Sequence, residues 1–384
     1  MPEIIIVGGG ITGAAAADAL ARERHAVTLI EKHGIAAMAS GRTLGGIRQS
    51  GRDAAELPLA RAAIAMWAGL IDTLEVDVEY RRSGNLRLAR TPAEVEVIRA
   101  LVESQRAQGL DLYFLPDNTA VREIAPAMSP NVLAASFCPS DGHANPIKAT
   151  RAFADSARRH GATIREGVVV TAIRVARDRV VGVDTTAGFI PVERVIVAAG
   201  VDTPGLLAPL GIELPLSTKV VSVVQSEPLR ACLDQVFGVA NADCAGRQEL
   251  DGRLRFTNGL RDRSVDPARW TGDSLAPSAD IISDLVTLVA HVLPIAGDAR
   301  VSRTWSGLID LTPDALPVID VPESVAGLVV AAGFSGHGFC LGPVSGLLCA
   351  DLALARPPRH DLAAFRLARF EERPIAPTAL TLHG

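Results

Sequence analysis

Apolar and polar positions at the start of the chain predict a strand, a helix and a second strand in close succession. Residues 4–7 are apolar and β-branched, residues 14–22 form an alanine- and leucine-rich stretch, and residues 27–30 are again largely apolar. The turn after the first strand carries glycines in the spacing G-x-G-x-x-G, at Gly8, Gly10 and Gly13. This order is typical of the opening of a dinucleotide-binding sheet.

Farther along the chain, the spacing of apolar positions predicts helices and antiparallel strands in place of a continued β-α-β series. Helical spacing occurs at residues 57–74, 92–108, 147–160, 278–292 and 343–355. Strand-like alternation occurs at residues 80–88, 168–173, 180–185, 190–197 and 253–257. We interpret 180–197 as part of a β-meander, and the wholly apolar residues 328–333 as a central parallel strand.

This order of elements predicts an α/β fold in which a Rossmann-like cofactor domain carries an inserted antiparallel-sheet α+β substrate domain. We assign the cofactor domain to residues 1–78, 144–212 and 304–384. The substrate domain comprises residues 79–143 and 213–303.

The opening glycines have separate expected roles in binding a dinucleotide. Gly8 permits the tight turn, Gly10 lets the backbone approach a pyrophosphate, and Gly13 lets the helix pack close to the sheet. Glu31 ends the second strand 18 residues after Gly13, where a ribose-binding carboxylate is expected. The alternative is a glycine-rich turn that binds nothing.

Composition and charge exclude several classes of function. The formal net charge is −5 and no basic run occurs, so nucleic acid is not an expected partner. Five cysteines without a C-x-x-C pair predict neither a metal site nor a disulfide framework. Residues 324–350 lack charged side chains, but glycines interrupt them, so we predict buried core and no membrane segment. A strand begins at residue 4 without an export signal, and we expect a cytoplasmic location.

Four segments together resemble the D-amino-acid-oxidase-like family of FAD enzymes. They are GGGITG at 8–13, SGRTLGGIRQ at 40–49, VIVAAG at 195–200 and AAGFSGHGF at 331–339. More narrowly, the chain looks like the β subunits of heteromeric sarcosine oxidase, opine oxidase and D-hydroxyproline dehydrogenase. The resemblance covers essentially the whole chain and implies a bound FAD.

The resemblance also implies which residues contact the FAD. The pyrophosphate and ribose would meet the turn glycines and Glu31, the adenine would meet the backbone of Val169, and the isoalloxazine would lie at the start of the last helix. The implied cofactor-binding residues are Gly8, Gly10, Gly13, Glu31, Lys32, Ser40, Arg42, Gly45, Gly46, Val169, Ala199, Gly200, Gly333, Gly336, His337, Gly338 and Phe339.

Three residues are predicted at the reacting end of the site. Arg48 is the candidate for binding a substrate carboxylate, because its planar guanidinium forms two charge-assisted hydrogen bonds; the alternative is an ion pair with Asp53 or Glu56. His337 is either a flavin-site residue or a hydrogen-bonded core histidine. Arg255, on the predicted strand 253–257, is expected to face the flavin from the other domain.

Departures from the family pattern bear on the cofactors. No cysteine precedes Thr312-Pro313-Asp314, so the resemblance implies non-covalent FAD. Arg255 and Cys340 stand where the monomeric oxidases have lysines, which favours a dehydrogenase. Pro146 stands where heterotetrameric β subunits carry an FMN-binding histidine, so FMN at a subunit interface is either non-covalent or absent. Any [2Fe-2S] centre would belong to a partner subunit.

The expected activity is an FAD-dependent dehydrogenase that oxidises the C–N bond of a secondary-amine amino acid by hydride transfer to flavin N5. The substrate class stays open among opines, D-hydroxyproline or proline, and sarcosine. The chain is expected to act as the β subunit of a heteromeric complex. Two alternatives remain: an oxygen-using amino-acid oxidase that acts alone, and a catalytically silent FAD-binding assembly subunit.

Overall fold

A computed structural model describes residues 3–261 and 275–372 of the chain. Its strands are β1 (Ile4–Val7), β2 (Val27–Glu31), β3 (Gly46–Ile47), β4 (Asn85–Ala89), β5 (Tyr113–Leu115), β6 (Ala134–Cys138), β7 (Gly142–His143), β8 (Thr163–Glu166), β9 (Val170–Ala176), β10 (Arg179–Thr185), β11 (Gly188–Pro191), β12 (Val195–Val197), β13 (Ser217–Pro228), β14 (Val236–Val239), β15 (Cys244–Gln248), β16 (Arg253–Asn258), β17 (Val301–Leu311), β18 (Val318–Asp320) and β19 (Leu328–Ala332).

The α-helices are α1 (Ile11–Arg22), α2 (Ala39–Arg42), α3 (Leu57–Ala68), α4 (Leu70–Leu74), α5 (Pro92–Ala107), α6 (Asn118–Ile124), α7 (Pro146–Arg159), α8 (Thr203–Leu207), α9 (Ala279–Val292), α10 (Gly338–Ala353) and α11 (Arg369–Glu372). Short 3-10 helices occur at Gly200–Asp202, Ala208–Leu210, Pro294–Ala296 and Ala363–Phe365. None of the helices in the described ranges is long and apolar enough to cross a membrane.

A six-stranded sheet in the order β18-β19-β12-β1-β2-β8 forms the centre of one half of the molecule. Its neighbouring strands pair in parallel except for the antiparallel edge strand β18. Side chains alternate along β1, so Ile4 and Ile6 pack on one apolar core and Ile5 and Val7 on another. Burial on both faces explains why the strands have almost no polar positions.

An eight-stranded sheet in the order β17-β13-β16-β15-β14-β4-β6-β5 forms the other half. All its pairs are antiparallel except β14 with β4. Leu86 and Leu88 of β4 pack with α9 residues such as Val289 in a core on one face of this sheet. On the opposite face, Ala89 of β4 and Ala134 of β6 pack with Ile98 and Val102 of α5 in a separate core.

The first helix and the last long helix lie against each other in parallel. A Cβ on Gly342 would lie 2.3 Å from the side chain of Ile11, and one on Gly346 would lie 2.5 Å from that of Ala15. Only glycine allows so close an approach. Because α1 follows β1 and α10 follows β19, both helix N-termini lie at the carboxyl edge of the parallel strands, where ligands bind in open α/β sheets.

The structure corrects four of the predicted elements. The strand predicted over 80–88 is β4 alone, because Gly84 with φ +90° ends the extended backbone before it. The helix predicted over 57–74 is interrupted at Gly69. The last helix starts at Gly338, with Pro343 inside it, although proline favours a helix start. The predicted meander also ends at β11, since β12 pairs in parallel with β1.

The division into two domains stays a prediction. The boundary proposed at residue 304 falls within β17, which pairs with β13 along its length in the eight-stranded sheet. Residues 262–274 and 373–384, which the two assigned domains include, lie outside the described residues.

Candidate functional site

A cavity of about 640 Å³ extends from the carboxyl edge of the six-stranded sheet to the inner face of the eight-stranded sheet. At one end it meets the backbone after β1, β2 and β12. At the other end it is lined by residues of β4, β14 and β16, including Leu86, Phe237 and Thr257. One elongated space therefore contacts both the predicted cofactor residues and the predicted substrate region.

Most of the predicted site residues line this cavity. They are Gly8, Gly10, Glu31, Lys32, Ser40, Arg42, Gly46, Arg48, Val169, Ala199, Gly200, Gly336, Gly338 and Phe339. The remaining predicted residues do not belong to the lining: Gly13, Gly45, Gly333, His337 and Arg255.

The glycine turn has the close backbone contacts that the sequence predicts. Gly8 has φ +113°, and a Cβ there would lie 2.2 Å from the carbonyl oxygen of Ala198. A Cβ on Gly13 would lie 2.1 Å from the carbonyl oxygen of Gly8, so Gly13 serves the packing of α1 and not the cavity surface. The N-terminal turn of α1, at Gly10 and Ile11, faces the cavity, as anion binding at a helix N-terminus requires.

The end of β2 supplies the charged groups at this end of the cavity. Glu31 accepts hydrogen bonds from the backbone N–H groups of Gly9 at 2.7 Å and of His33 at 2.8 Å, which fix the carboxylate. Lys32 forms an ion pair of 2.6 Å with Asp202, which also lines the cavity.

Two further predicted contact residues already form hydrogen bonds within the protein. Ser40 Oγ accepts a hydrogen bond from the Ile11 N–H at 3.0 Å and so holds the start of α1. The N–H of Val169 donates to Thr186 Oγ1, and its carbonyl accepts from the Thr186 N–H. The backbone of Val169 was predicted to contact the adenine, but its N–H is already hydrogen-bonded within the protein.

At the start of α10, His337 does not line the cavity. Its Nδ1 lies 2.9 Å from a carboxylate oxygen of the buried Glu56, whereas its Nε2 has no hydrogen-bond partner among the described residues. Burial, together with the charge of Arg52, lowers the pKa of His337 to about 4, so the ring is neutral at neutral pH. Burial would raise the pKa of Glu56, but its contact with His337 and the charge of Arg52 lower it. Of the two alternatives for His337, this geometry favours a hydrogen-bonded core histidine over a flavin-site residue.

We expect His337 to make the protein less stable in acid. Its pKa falls on folding from 6.5 to about 4, so the stability that the neutral ring provides is present above pH 6.5 and is lost as the pH falls toward 4. Between pH 7.5 and pH 5 the loss in the free energy of unfolding is about 2 kcal/mol. Urea unfolding at the two pH values measures it.

The matched variant is His337→Gln, which keeps a hydrogen-bonding side chain but does not titrate. Whatever its own stability, its unfolding free energy should change about 2 kcal/mol less than that of the wild type between pH 7.5 and pH 5. The same loss in both proteins would rule out His337 as the source.

Arg48 lies on a loop that other parts of the chain hold in place. Asp141 accepts hydrogen bonds from the N–H groups of Gln49 and Ser50, and Gln105 accepts one from the Gly51 N–H. The Arg48 Nη1 donates to the Ser50 carbonyl at 3.0 Å. Burial lowers the pKa of Arg48 to about 9, with contributions from neighbouring arginine charges. The guanidinium is therefore placed on the cavity wall by a fixed backbone.

Two more arginines line the same end of the cavity, and the sequence did not single them out. Arg52 is buried, and its Nη1 lies 3.9 Å from Glu56. Arg87 of β4 is also buried, and burial lowers its pKa to about 10. The available signal was a charged residue between Leu86 and Leu88, but such alternation ordinarily indicates a solvent-facing side chain.

Arg255 lies outside the cavity although its neighbour Thr257 lines it. Its guanidinium forms an ion pair of 2.9 Å with Glu249 and donates to the Thr43 carbonyl. It also lies 5.1 Å from the ring centre of Trp305. A further cavity residue that the sequence missed is Asp310, whose pKa burial raises to about 6 and whose Oδ2 accepts from the Gly333 N–H.

The cavity fits FAD at both of its ends. A Cβ on Gly46 or on Gly200 would meet no atom of the residues that the structure describes within 4 Å, so the backbone there is open to a ligand. The N-terminus of α10, which also faces the cavity at Gly338, favours negative charge on a bound group. Within the described residues, no group of three or more His, Cys, Asp or Glu side chains could hold a metal ion.

Comparison with known proteins gives concordant matches. The family model described as FAD dependent oxidoreductase (DAO) matches residues 3–352. Glycine oxidase of Geobacillus kaustophilus is 30% identical over 96% of this chain and 97% of its own length. Sarcosine oxidase subunit beta of an Arthrobacter species is 28% identical over 96% of this chain and 91% of its own length. The crystal structure of L-proline dehydrogenase from P. horikoshii, 27% identical, superposes with a TM-score of 0.88 and covers 97% of this chain and 98% of that chain.

Proposed function

The chain belongs to the family of FAD-dependent oxidoreductases, an enzyme family, and on that premise we propose that it oxidises the C–N bond of a secondary-amine amino acid. One observation carries this proposal. The cavity that meets the dinucleotide-binding turn at Gly8 and Gly10 also meets the guanidinium-bearing loop at Arg48. A cofactor and a small carboxylate-bearing substrate could therefore lie side by side in one space.

The residues of the chain would bind and orient the substrate. Arg48 would hold the carboxylate through two charge-assisted hydrogen bonds. The apolar wall residues Leu44, Val236 and Ala245, which pack together, would exclude water from the reacting carbon. When bound, FAD would supply the group that accepts the hydride from the α-carbon. The amine would react in its neutral form, so we assign no side chain as general base.

We propose that the FAD is bound non-covalently, in contact with the predicted glycines and Glu31. The likeness to a sarcosine oxidase subunit beta supports a heteromeric complex in which further subunits receive the electrons. FMN at a subunit interface and a [2Fe-2S] centre in a partner are parts of that proposal, as is a cytoplasmic location.

A second candidate function is an oxygen-using amino-acid oxidase that acts without partners. The glycine oxidase that is 30% identical over nearly its whole length favours it. The lysines favour the dehydrogenase, since Lys32 pairs with Asp202 at the dinucleotide end and Lys148 pairs with Glu79. Neither Lys148 nor Lys219 lines the cavity.

The proposed activity is tested with the purified, FAD-loaded chain. Acid precipitation should release FAD into the supernatant. Without oxygen, the flavin absorbance near 450 nm should bleach on addition of a secondary-amine amino acid, with sarcosine, both prolines, D-hydroxyproline and an opine as the screen. Bleaching by none of these amino acids would contradict the proposal and favour a silent assembly subunit.

We expect the reduced flavin to reoxidise slowly in air and rapidly with an artificial acceptor, because none of the described residues that line the substrate end of the cavity is a lysine. Stopped-flow measurement of the absorbance near 450 nm compares air-saturated buffer with an anaerobic dye. Equal rates, with steady peroxide formation, would instead establish the oxidase.

A further inference from the structure

We propose that the substrate carries a second carboxylate and that Arg87 binds it. This inference rests on the proposed function and deepens it by naming the class of amino acid. Arg87 and Arg48 line the same cavity but come from different sequence regions, one on a strand of the eight-stranded sheet and one on the loop after β3. Two guanidinium groups at one end of a ligand space can bind two carboxylates.

The sheet around Arg87 is arranged to leave its head group room. Arg87 pairs in register with Ser136 of β6 and with Gly238 of β14, and both neighbours also line the cavity. One neighbour is small and the other has no side chain. Asn85, two residues earlier on the same face, donates to Ser50 Oγ and so connects this strand with the Arg48 loop.

The electrostatics of this end favour an anionic ligand. The charges of Arg52 and Arg87 lower the pKa of Arg48, and the charge of Asp141 raises it. The carboxylate of Glu56 contacts His337 and Arg52, and that of Asp141 accepts from Gln49 and Ser50. A ligand with two negative charges would offset more of the unfavourable effect of Arg52 and Arg87 on the Arg48 charge than a ligand with one.

The test compares amino acids that differ only in the second carboxylate. Iminodiacetate is matched with N-ethylglycine, which has a methyl group in place of the carboxylate. N-methylaspartate is matched with N-methyl-2-aminobutyrate in the same way. The first pair tests a carboxylate on the amine substituent, and the second pair tests a carboxylate on the side chain. The FAD-loaded enzyme should show a kcat/KM at least about 30-fold higher for the dicarboxylate of one pair.

The variant Arg87→Gln should lower kcat/KM for the preferred dicarboxylate about 30-fold or more and leave its monocarboxylate partner within about threefold. Arg87→Lys should recover part of the loss. FAD content should stay unchanged in both variants, and the exposed Arg106→Gln should leave every rate unchanged. An equal loss for both members of a pair, or a wild-type preference for the monocarboxylates, would overturn the inference.

Thioether analogues separate this inference from the proposed function, because they bind without being oxidised as amines. Thiodiacetate is compared with (ethylthio)acetate, and (methylthio)succinate with 2-(methylthio)butanoate, by the change in flavin absorbance. A dicarboxylate preference of about 30-fold in Kd that Arg87→Gln removes supports the inference, even if no amine bleaches the flavin. The missing bleaching would then count against the proposed function only. Equal Kd values within both pairs would refute the second carboxylate.

Discussion

Arg48→Ala is expected to lower the catalytic efficiency toward an amino-acid substrate about 30-fold to several-thousand-fold. Truncating one partner of a buried charge pair costs about 2–5 kcal/mol, and about 1.4 kcal/mol corresponds to a factor of ten. The loss should be this large because Arg48 is fixed on the cavity wall by its bond to Ser50 and by the Asp141 and Gln105 contacts of its loop. Steady-state kinetics with an artificial acceptor measures it.

Controls separate this effect from loss of cofactor. Arg48→Lys should recover only part of the efficiency, since an ammonium group cannot form the planar two-bond contact. Both variants should keep the FAD absorbance spectrum, and Arg106→Ala on the exposed face of α5 should behave like the wild type. If an FAD-loaded Arg48→Ala enzyme turns over an amino acid normally, another group binds the carboxylate.

The predictions that succeeded depend on local sequence. The first strand, the glycine turn and α1 could be placed because β-branched residues, turn glycines and alanine-rich helical spacing follow one another within 22 residues. The same holds for α5, predicted over 92–108 and found at Pro92–Ala107. The fold class, confirmed by proteins of similar structure, followed from these elements and from the four family segments.

The features that the sequence did not indicate depend on tertiary contacts. Arg87 alternates with Leu86 and Leu88, a pattern that indicates a solvent-facing arginine, but helix α5 packs against β4 and β6 on this face, and Arg87 is buried and lines the cavity. Likewise, Glu56 and His337 are 281 residues apart, and nothing near either residue in the sequence shows that they meet. Arg255 lies outside the cavity, where it forms an ion pair with Glu249, the residue after β15.

Gly46→Val is expected to weaken FAD binding without unfolding the protein. Gly46 lies in β3, and a Cβ there would meet no atom of the described part of the chain within 4 Å, so a larger side chain would extend into the space that the cofactor needs. Overfilling a well-packed site costs about 1–3 kcal/mol, which corresponds to about 5- to 150-fold in Kd. Titration of the FAD-free protein with FAD, followed by fluorescence quenching, measures the change.

Gly13→Val provides the contrasting variant, because its Cβ would lie 2.1 Å from the Gly8 carbonyl oxygen and not in the cavity. Gly13→Val should therefore lower the urea midpoint of the FAD-free protein, whereas Gly46→Val should leave it nearly unchanged. Weakened FAD binding by Gly46→Val at unchanged stability would place the cofactor beside β3. Normal FAD affinity in Gly46→Val would show that the cofactor lies elsewhere in the cavity, and a lowered urea midpoint would show that Gly46 serves packing instead.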